Sequence, residues 1–254
     1  MRELNFSFKF ALLLLMSAIA MPLSAADRAK LNSFAETIND VQPKIVKVYG
    51  AGGLKGLEAY QSGFLISSEG HVLTSWSYVL DTDYITITLD DGRKFEGTLV
   101  GADPRLEIAI VKIAATDVSF FDLAKAAEME SGDRVLAFSN LYGVATGNEP
   151  ASVLHGSVSA KTTLTARRGA FQSPYKGPVY VLDAMTNNPG ATGGALTNRR
   201  GELAGILGKE LRNSLNNAWL NYAVPVSSIR EAVEDIMEGR ARPRSEEDAA
   251  CGSR

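Results

Sequence analysis

The order of apolar and polar positions divides the chain into one long apolar run, one short helical stretch, two families of short strands and a closing helix. The apolar run is Phe10 to Ala20 (FALLLLMSAIA). Leu31, Phe34, Ile38 and Val41 then recur at helical spacing, which predicts an amphipathic helix over 27–41. After Pro43 the period shortens. Ile45, Val46 and Val48 begin a strand, and Phe64-Leu65-Ile66 runs into the turn signal Ser67-Ser68-Glu69-Gly70 before His71 to Thr74 resumes. Ile85, Ile87 and Leu89 alternate with Thr86 and Thr88. Asp90-Asp91-Gly92 reads as a hairpin turn, because Asp-Gly tolerates the positive φ such a turn needs, and Lys94 to Val100 returns. Ile108 to Ile113 is a nearly continuous apolar strand. After a weakly structured connector over 114–130, a second family follows: Arg134–Ser139, Val153–Ala160, Val179–Asp183, Gly194–Thr197, Leu203–Gly208 and Tyr222–Val226. Ile229, Val233 and Ile236 share one face of a last helix, Val226 to Met237.

Many short strands with regular turns suggest a sandwich or barrels, and two clusters of about six strands favour two barrels, about 42–120 and 131–226. The expected architecture is all-β, with a short N-terminal helix and a C-terminal helix around a domain over 42–238. The residues from 239 to 254 are charged, contain Pro243 and are expected to be disordered.

Composition adds constraints. With 254 residues and 45% hydrophobic side chains, the chain can bury a sizeable core. A formal net charge of -3, without a basic block, gives no footprint for nucleic acid. Arg2 and Lys9 precede the apolar run, and Pro22, Ser24, Ala25 and Ala26 follow it, which predicts a signal peptide over 1–26 and a periplasmic or secreted mature chain. The run is about half the ~20 apolar residues that a membrane span needs. Cys251 is the lone cysteine, so no internal disulfide forms. No metal or cofactor is expected.

Two segments carry the candidate chemistry. One is Ser62 to Ile113 (SGFLISSEGHVLTSWSYVLDTDYITITLDDGRKFEGTLVGADPRLEIAIVKI), the other Asp183 to Leu196 (DAMTNNPGATGGAL). Together they resemble the HtrA/Deg family of trypsin-like serine proteases, whose corresponding segments run like SGFIIS-DG-ILTNNHVV…DG…G.D…DLAVLKI and D.AINPGNSGGPL. The resemblance covers roughly 42–230, with turns, strands and glycines in register, and it implies two six-stranded trypsin-like β-barrels. That family usually carries PDZ domains after the protease unit and commonly trimerises. Only a short charged tail follows the last helix here, and a homo-oligomer remains open.

The departures from the family pattern decide the expected activity. Where the family has its histidine, Thr74-Ser75-Trp76 is followed by Ser77. Where it has its aspartate, Glu107 precedes Ile108. Where it has its nucleophilic serine, Thr192 stands in Gly190-Ala191-Thr192-Gly193-Gly194. A hydroxyl needs a base to take its proton as it attacks, and imidazole serves because it titrates near neutrality. Ser77 cannot do this, so no catalytic triad is intact. The two histidines, His71 and His155, read as strand-end or surface residues. Glu107 reads as an exposed charge at a strand entry. The methyl of Thr192 crowds attack, and its internal position closes the N-terminal-threonine route. The resemblance implies that the amides of Gly190 and Thr192 correspond to an oxyanion hole, which can still bind a carbonyl or carboxylate. The glycines also serve tight turns in any case.

The expected function is therefore that of a pseudoprotease binding unfolded protein or peptide segments, or an envelope protein. The alternatives are an active serine endopeptidase with an atypical catalytic group, and an interaction protein whose sticky lip is formed by Trp76 and Tyr78.

Overall fold

A computed structural model describes residues 33–52, 57–164, 167–168, 171–172, 175–212 and 219–240. The expected leader, the start of the expected N-terminal helix, Cys251 and the tail from 241 lie outside the described residues.

The described part of the first helix, α1 (Phe34–Val41), opens with a capping box. Ser33 Oγ accepts from Glu36 N–H at 3.2 Å, and Glu36 Oε2 accepts from Ser33 N–H at 2.7 Å. Pro43 sits in the 3₁₀ turn Gln42–Lys44, where it cannot donate a further helical bond. The first barrel follows: β1 (Ile45–Tyr49), β2 (Tyr60–Leu65), β3 (His71–Ser75), β4 (Ile85–Thr88), β5 (Lys94–Asp103) and β6 (Ile108–Ile113). They close antiparallel in the order β1-β2-β3-β6-β5-β4. The second barrel comprises β7 (Arg134–Ser139), β8 (Ser152–Leu164), β9 (Gly177–Leu182), β10 (Ala195–Asn198), β11 (Leu203–Leu207) and β12 (Tyr222–Pro225). It closes in the order β9-β12-β11-β10-β7-β8, and α2 (Val226–Met237) follows it directly.

Three apolar clusters explain why several strands read as unbroken hydrophobic runs. Val46, Leu65, Val72, Ala109 and Val111 fill the first barrel. Val135, Ala137, Tyr180, Leu196 and Ala204 fill the second. The alternate positions of the same strands, Ile45, Phe64, Leu73, Ile108 and Ile110 on one side and Leu136, Phe138, Ala195, Ile206 and Val224 on the other, meet with Ile229, Val233 and Ile236 of α2 in the largest cluster. Side chains alternate between the faces of a strand, so a strand buried on both faces is apolar at every position. Each such Val, Leu, Ile or Phe contributes about 1.5–3 kcal/mol when fully buried.

Several expected elements differ from the observed ones: β5 runs on to Asp103 and β8 to Leu164, beyond their expected ends at Val100 and Ala160. β2 begins at Tyr60 rather than Phe64, because its first half buries the polar side chains of Gln61 and Ser62. Two short ribbons, Arg167–Arg168 with Phe171–Gln172 and Leu211–Arg212 with Trp219–Leu220, have too few residues for a period to register. Residues 114–130 hold only the 3₁₀ turn Leu123–Lys125, yet they are docked: Phe121 N–H donates to Leu65 O at 2.9 Å and Ala127 N–H to Leu203 O at 2.7 Å. Gly239 and Arg240, in the expected disordered tail, are tied back to the end of α2, with Arg240 N–H donating to Asp235 O at 2.8 Å.

One buried cation links the two halves. Lys47 of β1 is 1% exposed. Its Nζ donates to Leu89 O (3.3 Å) beside the β4–β5 turn, and to Gly147 O (2.9 Å) and Glu149 O (2.7 Å) in the loop leading to β8. Burial lowers its pKa, while Asp90 and Glu149 counter that effect.

Candidate functional site

Of the three positions expected for a triad, Ser77 and Thr192 meet at the seam between the barrels. A cleft of about 300 Å³ there brings Ser77 of the first barrel together with Gly190, Thr192 and Lys209 of the second.

The first-barrel wall is a closed net of hydrogen bonds. Ser77 caps the 3₁₀ turn Tyr78–Leu80: its Oγ accepts from Val79 N–H at 3.1 Å and donates to Gln61 Oε1 at 2.5 Å. Gln61 Nε2 donates in turn to Thr74 Oγ1 (2.8 Å) and Ser75 O (2.9 Å), and Thr74 Oγ1 donates to Ser62 O (2.6 Å). The amide of Gln61, unremarked in the sequence, is thus what orients Ser77. Next to Ser77, Trp76 packs against the core of the first barrel, whereas Tyr78 is 44% exposed and lines the cleft.

Glu107 departs from its expected exposure. It is only 7% exposed, and its Oε1 pairs with Lys209 Nζ at 3.1 Å. The turn before it forces this. Asp103 Oδ1 accepts from Arg105 N–H at 3.0 Å, Asp103 O accepts from Leu106 N–H at 3.2 Å, and Glu107 is left at φ 56°. A left-handed conformation costs a non-glycine residue about 1–2 kcal/mol. The Glu107 carbonyl is also engaged, accepting from Trp76 N–H (2.9 Å) and Ser75 Oγ (3.0 Å). Lys209 lines the cleft, whereas Glu107 is not among the described residues that line it. Hydrophobic periodicity carries no signal for this pair, since its members come from different barrels.

The second-barrel wall is shaped by its glycine backbone. Gly190 and Gly193 adopt φ of 84° and 81°. A Cβ on Gly190 would lie 2.1 Å from Asn140 O, and one on Gly193 would lie 2.4 Å from Ser62 O. Both glycines are therefore required by close packing as well as by backbone conformation. Ala191 N–H is tied to Asn188 O and Gly193 N–H to Leu207 O, each at 3.0 Å. Among the described residues, the N–H groups of Gly190 and Thr192 donate to no protein acceptor. Thr192 itself is half-buried, and its carbonyl accepts from Ser62 N–H at 3.0 Å.

Both histidines lie away from the cleft. His71 starts β3, at the opposite end from Ser75, and its Nδ1 is 2.7 Å from Ser67 Oγ. Burial, reinforced by Lys112, lowers its pKa. His155 is exposed on β8, its ring 5.0 Å from that of Phe34. Among the described residues no cluster of side chains is arranged to hold a metal.

Residues 61–206 match the model of the trypsin-like peptidase domain. The serine endoprotease DegS of Haemophilus influenzae is 30% identical over 82% of this chain. A probable periplasmic serine endoprotease, DegP-like, of Ectopseudomonas mendocina is 33% identical over 69% of it. The chain spans 62% of the first relative's length and 34% of the second's. Among solved structures, the HtrA-type protease AlgW with a tripeptide superposes with a TM-score of 0.66 at 26% identity, covering 83% of this chain and 65% of that one.

Proposed function

This chain belongs to the trypsin-like peptidase family, in its HtrA-like branch, and on that premise we propose that it is a non-catalytic member that binds extended peptide segments of unfolded or partner proteins in the periplasm. The observation that carries the reading is the first-barrel wall of the cleft. The position of the family's base holds the hydroxyl of Ser77, fixed by Gln61. A hydroxyl nucleophile without a neighbouring base is weak near neutral pH. Losing triad members lowers turnover by about 10⁴ to 10⁶. Glu107 offers no substitute while its carboxylate is paired with Lys209. The open N–H groups of Gly190 and Thr192 retain the means to hold a peptide carbonyl. The compartment is inferred from the periplasmic relative and from the apolar N-terminal run. The test is incubation of the purified mature protein with casein and unfolded proteins beside a Thr192→Ala control. No cleavage is expected, and cleavage abolished by that substitution would overturn the reading.

One observation favours an active endopeptidase instead. Lys209 lines the same cleft as Thr192 and is held by Glu107, so an amine supported by a carboxylate stands in the region of the missing imidazole. Serine–lysine pairs do catalyse acyl transfer. Labelling of Thr192 by a fluorophosphonate, lost in Lys209→Met, would establish that reading.

A further inference from the structure

The cleft wall carries more than the two open amides, and its chemistry specifies a ligand. Glu58 and Glu210 line it, together with the tyrosines Tyr60 and Tyr78. Glu58 is exposed at the mouth, and its carboxylate makes no ion pair among the described residues. The lysine of the cleft, Lys209, has its charge matched by the buried carboxylate of Glu107 at 3.1 Å. Tyr60 lines the cleft beside Glu58: burial, reinforced by Glu58, raises the pKa of its hydroxyl, so the ring stays neutral at physiological pH. Carboxylates beside aromatic rings attract a cation by charge and by the ring quadrupole, and they repel an anion.

We propose that the cleft selects peptide segments bearing a lysine or arginine side chain, with a peptide carbonyl on the Gly190 and Thr192 amides and the basic side chain against Glu58, Tyr60 and Tyr78. The inference rests on the peptide-binding reading above. It names the side chain that the site prefers, which neither the glycine frame nor the fold specifies. An acidic segment would meet Glu58 and Glu210. An uncharged apolar segment would leave the Glu58 carboxylate unpaired at the cleft mouth.

The experiment is fluorescence anisotropy at low ionic strength with three labelled eight-residue peptides, identical except for a central lysine, norleucine or glutamate. Norleucine keeps the length of the lysine stem without its charge. The lysine peptide is expected to bind about 10-fold more tightly than the norleucine peptide, and the glutamate peptide most weakly. That preference is expected to fall below about 3-fold at high salt, where exposed charges are screened. It should fall likewise in a Glu58→Gln, Glu210→Gln double variant whose melting temperature matches that of the parent. Equal binding of all three peptides, tighter binding of the norleucine or glutamate peptide, or a preference that survives the double substitution would overturn this inference and leave the peptide-binding reading standing. Absence of binding by any of the three overturns both. Should the protein cleave the peptides, the same ranking is read from initial rates.

Discussion

The two walls of the cleft have diverged to different extents, and the reason is what each is made of. On the first-barrel side the working groups of a trypsin-like peptidase are side chains, and here they are Ser77, Gln61 and a buried Glu107. On the second-barrel side only the hydroxyl at the expected nucleophile position, Thr192, is a side chain, and the rest are backbone N–H groups held by Gly190 and Gly193 at positive φ. A point substitution removes a side chain and its chemistry outright. A backbone nest survives most substitutions within it, provided that the glycines which shape it remain. Thr192 is the informative case: its side chain departs from the family pattern, yet its N–H keeps its place beside that of Gly190. On the proposed reading, a binding surface outlasts the catalytic function built beside it.

The largest test of this contrast is to rebuild the side-chain wall. If the backbone wall is intact, combining Ser77→His, Glu107→Asp and Thr192→Ser is expected to raise casein hydrolysis by about 10²-fold or more, measured as initial rates against the parent chain. No gain would mean that the second wall has lost its function as well. Next in size is Gly190→Ala. With a Cβ placed 2.1 Å from Asn140 O at φ 84°, a loss of about 3 kcal/mol or more is expected in urea unfolding, combining backbone strain and steric overlap. A neutral result would show that this loop shifts easily.

Glu107→Gln is expected to cost about 2 kcal/mol by the same measurement, because it leaves the largely buried Lys209 amine without its carboxylate. Glu107→Gln with Lys209→Met should be less destabilising than the sum of the two single changes, and simple additivity would show that the pair is not coupled. The smallest effect concerns Asp183, which leads into the second wall. Its carboxylate accepts from Ser157 N–H and from Ser157 Oγ, and these bonds hold its pKa below the ordinary carboxylate value. A depressed folded-state pKa contributes stability above the unfolded pKa of about 3.9, and that contribution is lost as pH falls through the lower folded value. Acid titration of stability should therefore be shallower in Asp183→Asn, by a small amount because the residue is exposed.

Much of the fold could be read from the sequence because apolar burial on both faces leaves a strong mark. Ile108 to Ile113, Arg134 to Ser139 and α2 have the bounds that periodicity predicts. The family pattern around them is what singles out Ser77, Glu107 and Thr192 in the sequence. Their present partners are not legible there. Gln61 lies in a polar stretch that periodicity reads as outside a strand, and Lys209 meets Glu107 only once both barrels are closed. Glu107 is misread for the same reason: a lone carboxylate looks solvent-exposed until a distant amine allows its burial.

Lys47 makes the two barrels interdependent during unfolding. Its ammonium sits in a first-barrel strand, while two of its three carbonyl acceptors lie in the loop that leads to β8 of the second. If the second barrel opened alone, that cation would lose those acceptors while still within a folded first barrel, where an uncompensated charge is strongly disfavoured. Partial opening is thereby penalised from the inside. Together with the apolar cluster shared by both barrels and α2, this leads to the expectation that the described domain melts in one transition, seen alike by calorimetry and circular dichroism.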